Sequence, residues 1–154
     1  MSSHATRLEW SRGDQVFTDR RYRRAHRLRF DGGVEFDASS SPQLVPTPYS
    51  DAAAVDPEEL FVAALSSCHL LWFLDLACRA GWCVDSYRDA AEGELAKNAD
   101  GQLVMTRVTL RPAVRFGGER QPDAVEIARL HEAAHGACFI ANSVRTDVRC
   151  EPQP

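Results

Sequence analysis

The sequence predicts an α+β fold in which antiparallel sheets accompany one long central helix. Three observations carry this. An apolar run from Leu60 to Leu74 follows a strong helix-start signal. Segments of alternating polarity lie on both sides of it, around turn-forming residues. The resulting order of hairpin, helix, hairpin, helix and strand lacks the regular βαβ alternation of a parallel sheet. The 154 residues suit a single domain spanning 1–154. A composition of 44% hydrophobic and 26% charged residues excludes disordered and low-complexity classes.

Taken in order, Arg7 to Thr18 is short and mixed. Leu28 and Phe30, then Val34 and Phe36, alternate with polar residues around Asp31-Gly32-Gly33, which reads as a hairpin. Ala38 to Ala53 is rich in Ser and Pro and reads as a surface loop. Asp56 is placed to cap a helix, Pro57 fits its first position, and Glu59 completes a capping box. Leu60, Phe61, Ala64, Leu65, Cys68, Leu71 and Trp72 follow helical spacing, and Gly81 stops the run. The helix should span about 24 residues, or roughly 36 Å. Being apolar on most faces, it should be buried on most faces, partly against a partner subunit. Val84 to Leu95 then runs to the turn Asn98-Ala99-Asp100-Gly101. Val104, Thr106, Val108 and Leu110 alternate on the return strand. Pro122 opens a second helix to about Ala137, and Val144, Thr146 and Val148 form a last strand.

The net charge of -4 and pI near 5.7 argue against a nucleic-acid partner. The basic run Arg20 to Arg29 would be split between two faces on a strand. The apolar run of about fifteen residues falls short of the roughly 20 needed to span a bilayer, so it reads as a core helix with no membrane partner. Met1 to Gln15 shows no apolar signal region, and five cysteines are an odd number for a disulfide framework. The expected location is cytoplasmic.

Three constellations carry candidate chemistry. Cys68 lies in Ser66-Ser67-Cys68-His69, polar for the middle of an apolar helix, and Cys138 ends the second helix. The helix dipole fades within a turn, so a low thiol pKa at Cys68 needs a nearby arginine. Glu58 lies ten residues earlier, about 15 Å along a straight helix. It can serve that thiol only from a second chain. The second constellation is His131-Glu132-Ala133-Ala134-His135, a literal H-E-x-x-H. On a helix both histidines share a face that suits zinc, with Glu132 as base and Cys150 or Glu151 as third ligand. A zinc hydrolase is therefore the rival enzyme, and a solvated helix face the plainer reading. The third is the arginine-rich run itself. Cys78 and Cys83 lack further ligands nearby and read as structural, and Cys150 as incidental.

Asp56-Pro57-Glu58-Glu59-Leu60-Phe61 with Ser66-Ser67-Cys68-His69 resembles the OsmC/Ohr family of organic-hydroperoxide reductases. Ala134-His135-Gly136-Ala137-Cys138 and Ile140-Ala141-Asn142-Ser143 resemble its second cysteine motif. The resemblance implies an OsmC-like fold, an intertwined homodimer with two long central helices wrapped by sheets. It also implies a peroxidatic Cys68, a resolving Cys138, the family glutamate at Glu58 and the family arginine at Arg24, with Arg21 and Arg23 as alternatives. The implied activity is peroxidase: organic hydroperoxide reduced through a Cys68 sulfenic acid and a Cys68–Cys138 disulfide. A small dithiol or lipoyl-type reductant would restore the thiols, with no cofactor and no metal. His135 is placed to aid proton transfer at Cys138. Phe61, Leu65, Trp72 and Phe139 would favour organic peroxides. Phe139 departs from the proline usual in the Ohr branch. A non-catalytic, stress-associated ligand-binding module is the remaining alternative.

Overall fold

A computed structural model describes all residues from Met1 to Pro154. Two compact units emerge, Met1–Leu60 and Phe61–Pro154. The first unit holds one antiparallel sheet, β1 (Thr6–Glu9), β2 (His26–Phe30) and β3 (Glu35–Ala38), in that order. The Asp31-Gly32-Gly33 hairpin is present, closed by the Gly33 N–H donating to the Phe30 carbonyl. Gly33 has φ +87°, a conformation that favours glycine. Arg27 and Arg29 project on one face of β2. They pair with Glu35 and Asp37 across the strand, so this part of the basic run is neutralised at home.

Helix α1 (Pro57–Arg79) begins in the first unit and runs through the second. Its start is the predicted capping box. The Glu59 N–H donates to Asp56 at 2.8 Å, and the Asp56 N–H to the Glu59 carboxylate at 2.9 Å. Gly81, at φ +79°, ends it. Its length and composition would let it cross a membrane, a reach that the apolar-run count understated. Its central stripe nonetheless packs in the core of the second unit. The stripe is narrow: Leu65, His69, Phe73 and Ala77, each one turn from the next, are its buried residues. Burial on most faces is therefore not met within one chain.

The second unit has two small sheets. The expected strand Val84–Leu95 is broken into β4 (Cys83–Asp89) and β5 (Glu92–Lys97). The return strand continues past Leu110, as β6 (Leu103–Leu110) and β7 (Pro112–Gly117). β4 pairs with β7 and β5 with β6, both antiparallel. The break comes at Asp89. Its carboxylate accepts the Arg111 N–H at 2.6 Å and the Ser66 hydroxyl at 2.5 Å. Pro112, with no N–H, marks the turn on the opposite strand. Strand β7 lay beyond the sequence reading.

Helix α2 (Ala124–Ala137) starts two residues after Pro122, with Asp123 and Glu126 forming its own capping box. The last strand, β8 (Asp147–Cys150), is shorter than expected and pairs parallel to β6, with Leu110 opposite Cys150. A return through α2 makes this direction possible. Two apolar clusters result. Phe73 and Ala77 of α1 meet Leu130 and Ala134 of α2 above β4 and β7. Leu65 packs on Val108 and Leu110 of β6, with Val148 and Cys150 of β8 at the edge.

Candidate active site

Cys68 sits mid-way along α1, and Cys138 is the residue that ends α2. Helix packing brings the two thiols, both reduced, close enough for each to feel the other. The chain after Cys138 folds back as a short 3-10 turn, Ala141–Ser143. This turn cups the sulfur: the Ala141 N–H donates to Sγ at 3.4 Å. Asn142 fastens the turn by donating from its side chain to the Gly136 carbonyl at 2.9 Å, and Ser143 donates to the Phe139 carbonyl at 2.7 Å. Hence the Ile140-Ala141-Asn142-Ser143 motif is the local scaffold of Cys138. Only 1% of Cys138 is exposed. Burial, reinforced by the neighbouring Cys68, pushes its thiol up to about 11, so it stays protonated near neutrality.

Trp72, one turn beyond Cys68, meets Phe139 edge to face at 5.3 Å. Phe139 is 67% exposed, so this aromatic pair forms an apolar rim beside the thiols. Leu65 is fully buried in the core and is removed from any substrate-facing role. Phe61 lines a separate cavity with Val104, Met105 and Val144.

The other two candidates lie in the first unit. Glu58 is in the first turn of α1, with its Oε2 buried and without a hydrogen-bond partner. Arg24 lies over the Tyr22 ring at 4.2 Å and donates to the carbonyls of Tyr22 and Arg20. No ion pair joins Arg24 to Glu58 within one chain. Arg24 also lines an apolar cavity of about 320 Å³ with Leu8, Trp10, Phe17, Tyr22 and His26.

The H-E-x-x-H motif resolves differently from its sequence pattern. His131 turns inward and meets His69 of α1, with Nε2 of His69 and Nδ1 of His131 3.1 Å apart. Cys150, read as incidental, joins them from β8, its Sγ 3.7 Å from His69 and 3.8 Å from His131. Both imidazoles are buried and pushed down to about 4, chiefly by burial. Burial and the Asp89 charge push Cys150 up to about 12. His135 and Glu132 stand at a cavity beside this group rather than in it. Neither His135 nor Glu151 converges with His131 as a ligand. The available signal was positional: His69 and His131 occupy core-facing turns of two apolar helices.

An OsmC-like protein of unknown function from Vibrio cholerae is similar over 99% of this chain and 100% of its own, at 49% identity and a TM-score of 0.97. The organic hydroperoxide resistance protein OhrB of Bacillus subtilis shares the fold at 21% identity, covering 99% and 98% of the two chains with a TM-score of 0.69. An organic hydroperoxide resistance protein from Elizabethkingia anophelis does so at 17% identity, covering 99% and 94%, with a TM-score of 0.72. No curated protein matches. The family described as OsmC-like protein matches residues 50–153, through both cysteine motifs and the elements that bring them together, and the chain belongs to that family.

Proposed function

We propose that the protein is a thiol peroxidase that reduces organic hydroperoxides through Cys68 and Cys138. The observation that carries this is the meeting of two reduced thiols from distant parts of the chain, one of them held protonated. The family's peroxidase-like role agrees, as do its neighbours named for hydroperoxide resistance.

Cys68 is the nucleophile, because the buried, protonated Cys138 is the poorer one. The Cys68 thiolate attacks the terminal peroxide oxygen, and the O–O bond breaks. The alkoxide takes a proton and leaves as the alcohol, and Cys68 becomes a sulfenic acid. The Cys138 sulfur then attacks the sulfenic sulfur. Its proton leaves with the hydroxyl as water, and a Cys68–Cys138 disulfide forms. A small dithiol or lipoyl-type thiol returns two electrons and two protons by exchange. The Trp72–Phe139 rim gives an alkyl group apolar contact.

Arg24 acts as a positioning residue for the thiolate. Glu58, whose buried oxygen lacks a partner in its own chain, acts from a second chain. The working unit is then a homodimer, with residues 1–154 of each chain forming one OsmC-like domain. Five free cysteines suit a reducing, cytoplasmic compartment.

The test is one equivalent of cumene hydroperoxide added to reduced protein, followed by intact mass and a non-reducing peptide map. Loss of two hydrogens with a Cys68–Cys138 cross-link is expected. Cys138→Ser should stop at the sulfenic acid, and Cys68→Ser should consume no peroxide. Slow, scattered oxidation of all the cysteines would overturn the reading.

A further inference from the structure

The geometry points to a second site, independent of the thiol pair: His69, His131 and Cys150 bind one divalent ion of the zinc class, joining α1, α2 and β8. Two imidazoles and a thiol are a donor set that zinc favours. The three donor atoms come from positions far apart in the chain and lie within 4.8 Å of one another. The point equidistant from them is about 2.1 Å from each, at zinc's bond length to nitrogen and slightly inside the roughly 2.3 Å to sulfur. A small step of the ion out of the donor plane lengthens all three bonds into range.

The histidine rings lie nearly in line, their centroids 5.4 Å and their planes 10° apart. An ion bound to both nitrogens therefore requires each ring to tilt by about 40° and replaces the hydrogen bond between them. The remaining nitrogens, Nδ1 of His69 and Nε2 of His131, are buried with no hydrogen-bond partner. Burying two imidazoles and a thiol together in an apolar core, against the face of Phe73, is costly for one hydrogen bond. A bound ion gives the three facing donors, Nε2 of His69, Nδ1 of His131 and Sγ of Cys150, bonds in place of their mutual contacts, and leaves the outer nitrogens as they are.

Access is present. His131 and Cys150 line a cavity of about 300 Å³ with Ala128, Glu132, His135 and Pro152. The fourth position then faces the cavity side, where water can fill it. Zinc does no redox chemistry, so it can share the chain with reduced cysteines without oxidising them. At pH 7.5 binding releases close to one proton, that of the Cys150 thiol, because free imidazoles are already largely neutral there.

The test is titration of reduced, chelator-treated full-length protein with Zn²⁺ by calorimetry in two buffers of different protonation enthalpy. Co²⁺ serves as the spectroscopic probe. One ion per chain, about one proton released and a thiolate-to-cobalt charge-transfer band are expected. Cys150→Ser should weaken binding by more than the roughly 100-fold that loss of an outer-shell partner costs. Cys68→Ser/Cys138→Ser should leave it unchanged. In unmutated protein, Zn²⁺ should shield Cys150 from alkylation, read by peptide mapping. That arm does not depend on a variant that folds. Absence of stoichiometric binding, unshielded Cys150, or binding lost in the Cys68/Cys138 variant instead would overturn the site.

Discussion

Cys68 and Cys138 meet as two thiols in unlike surroundings. Cys138 is buried, cupped by the 3-10 turn and held protonated near neutrality. Iodoacetamide should therefore label Cys138 in the folded, reduced protein far more slowly than Cys68, as a timed peptide map will show; equal rates would remove the asymmetry on which the roles rest. The buried histidines give a second consequence. His69 and His131 are pushed down from 6.5 to about 4. Between those values the unfolded chain binds more protons than the folded one. Their contribution to stability is thus complete above about pH 6.5 and is lost as pH falls toward 4. Each unit of depression is worth about 1.4 kcal/mol per group. In chelator-treated, metal-free protein the urea midpoint should fall between pH 7 and pH 4.5, and His131→Gln should flatten that fall. A pH-independent difference between the two proteins would contradict it.

Among the elements, α1 shows what the chain's sequence discloses and what it conceals. Its boundaries were readable because caps are local: Asp56 with Glu59 at one end and Gly81 at the other. The same holds for the hairpin of β2 and β3. The break of one long hairpin into two sheets was not readable, because it depends on Asp89 reaching Ser66 and the Arg111 backbone, contacts distant in sequence. The parallel pairing of β8, and with it the place of Cys150, was hidden for the same reason. The second cysteine motif was legible, since Ile140-Ala141-Asn142-Ser143 is itself the scaffold of Cys138. Gly93 of β5 shows a further constraint that no local rule announces. A Cβ there would lie 2.7 Å from Val62 of α1 and 2.4 Å from the terminal methyl of Met105. The methionine end can yield, but the valine on the helix cannot do so freely. Gly93→Ala should destabilise by about 1–3 kcal/mol, an overpacking penalty, read from the urea midpoint. A neutral result would mean that α1 and β5 approach less closely than described.

For the molecule as a whole, the decisive feature is how little of α1 its own chain covers. One stripe is buried, while Leu71 is 63% exposed and Leu74 36%. A helix this apolar, left with an open face, has the character of an interface rather than of a solvated surface. Glu58, at the head of the same helix, has a buried oxygen without a partner. A second copy of the chain, packed along α1, would cover the leucines and bring charges to Glu58 together. If so, stability must depend on concentration, because association favours the folded state by mass action. Sedimentation should show a dimer at micromolar concentration, and the melting temperature should rise with protein concentration. Leu71→Asp should dissociate the dimer, remove the concentration dependence and lower peroxidase turnover. Monomeric but fully active protein would separate the chemistry from the assembly, and would require an arginine and a carboxylate from the same chain to serve Cys68.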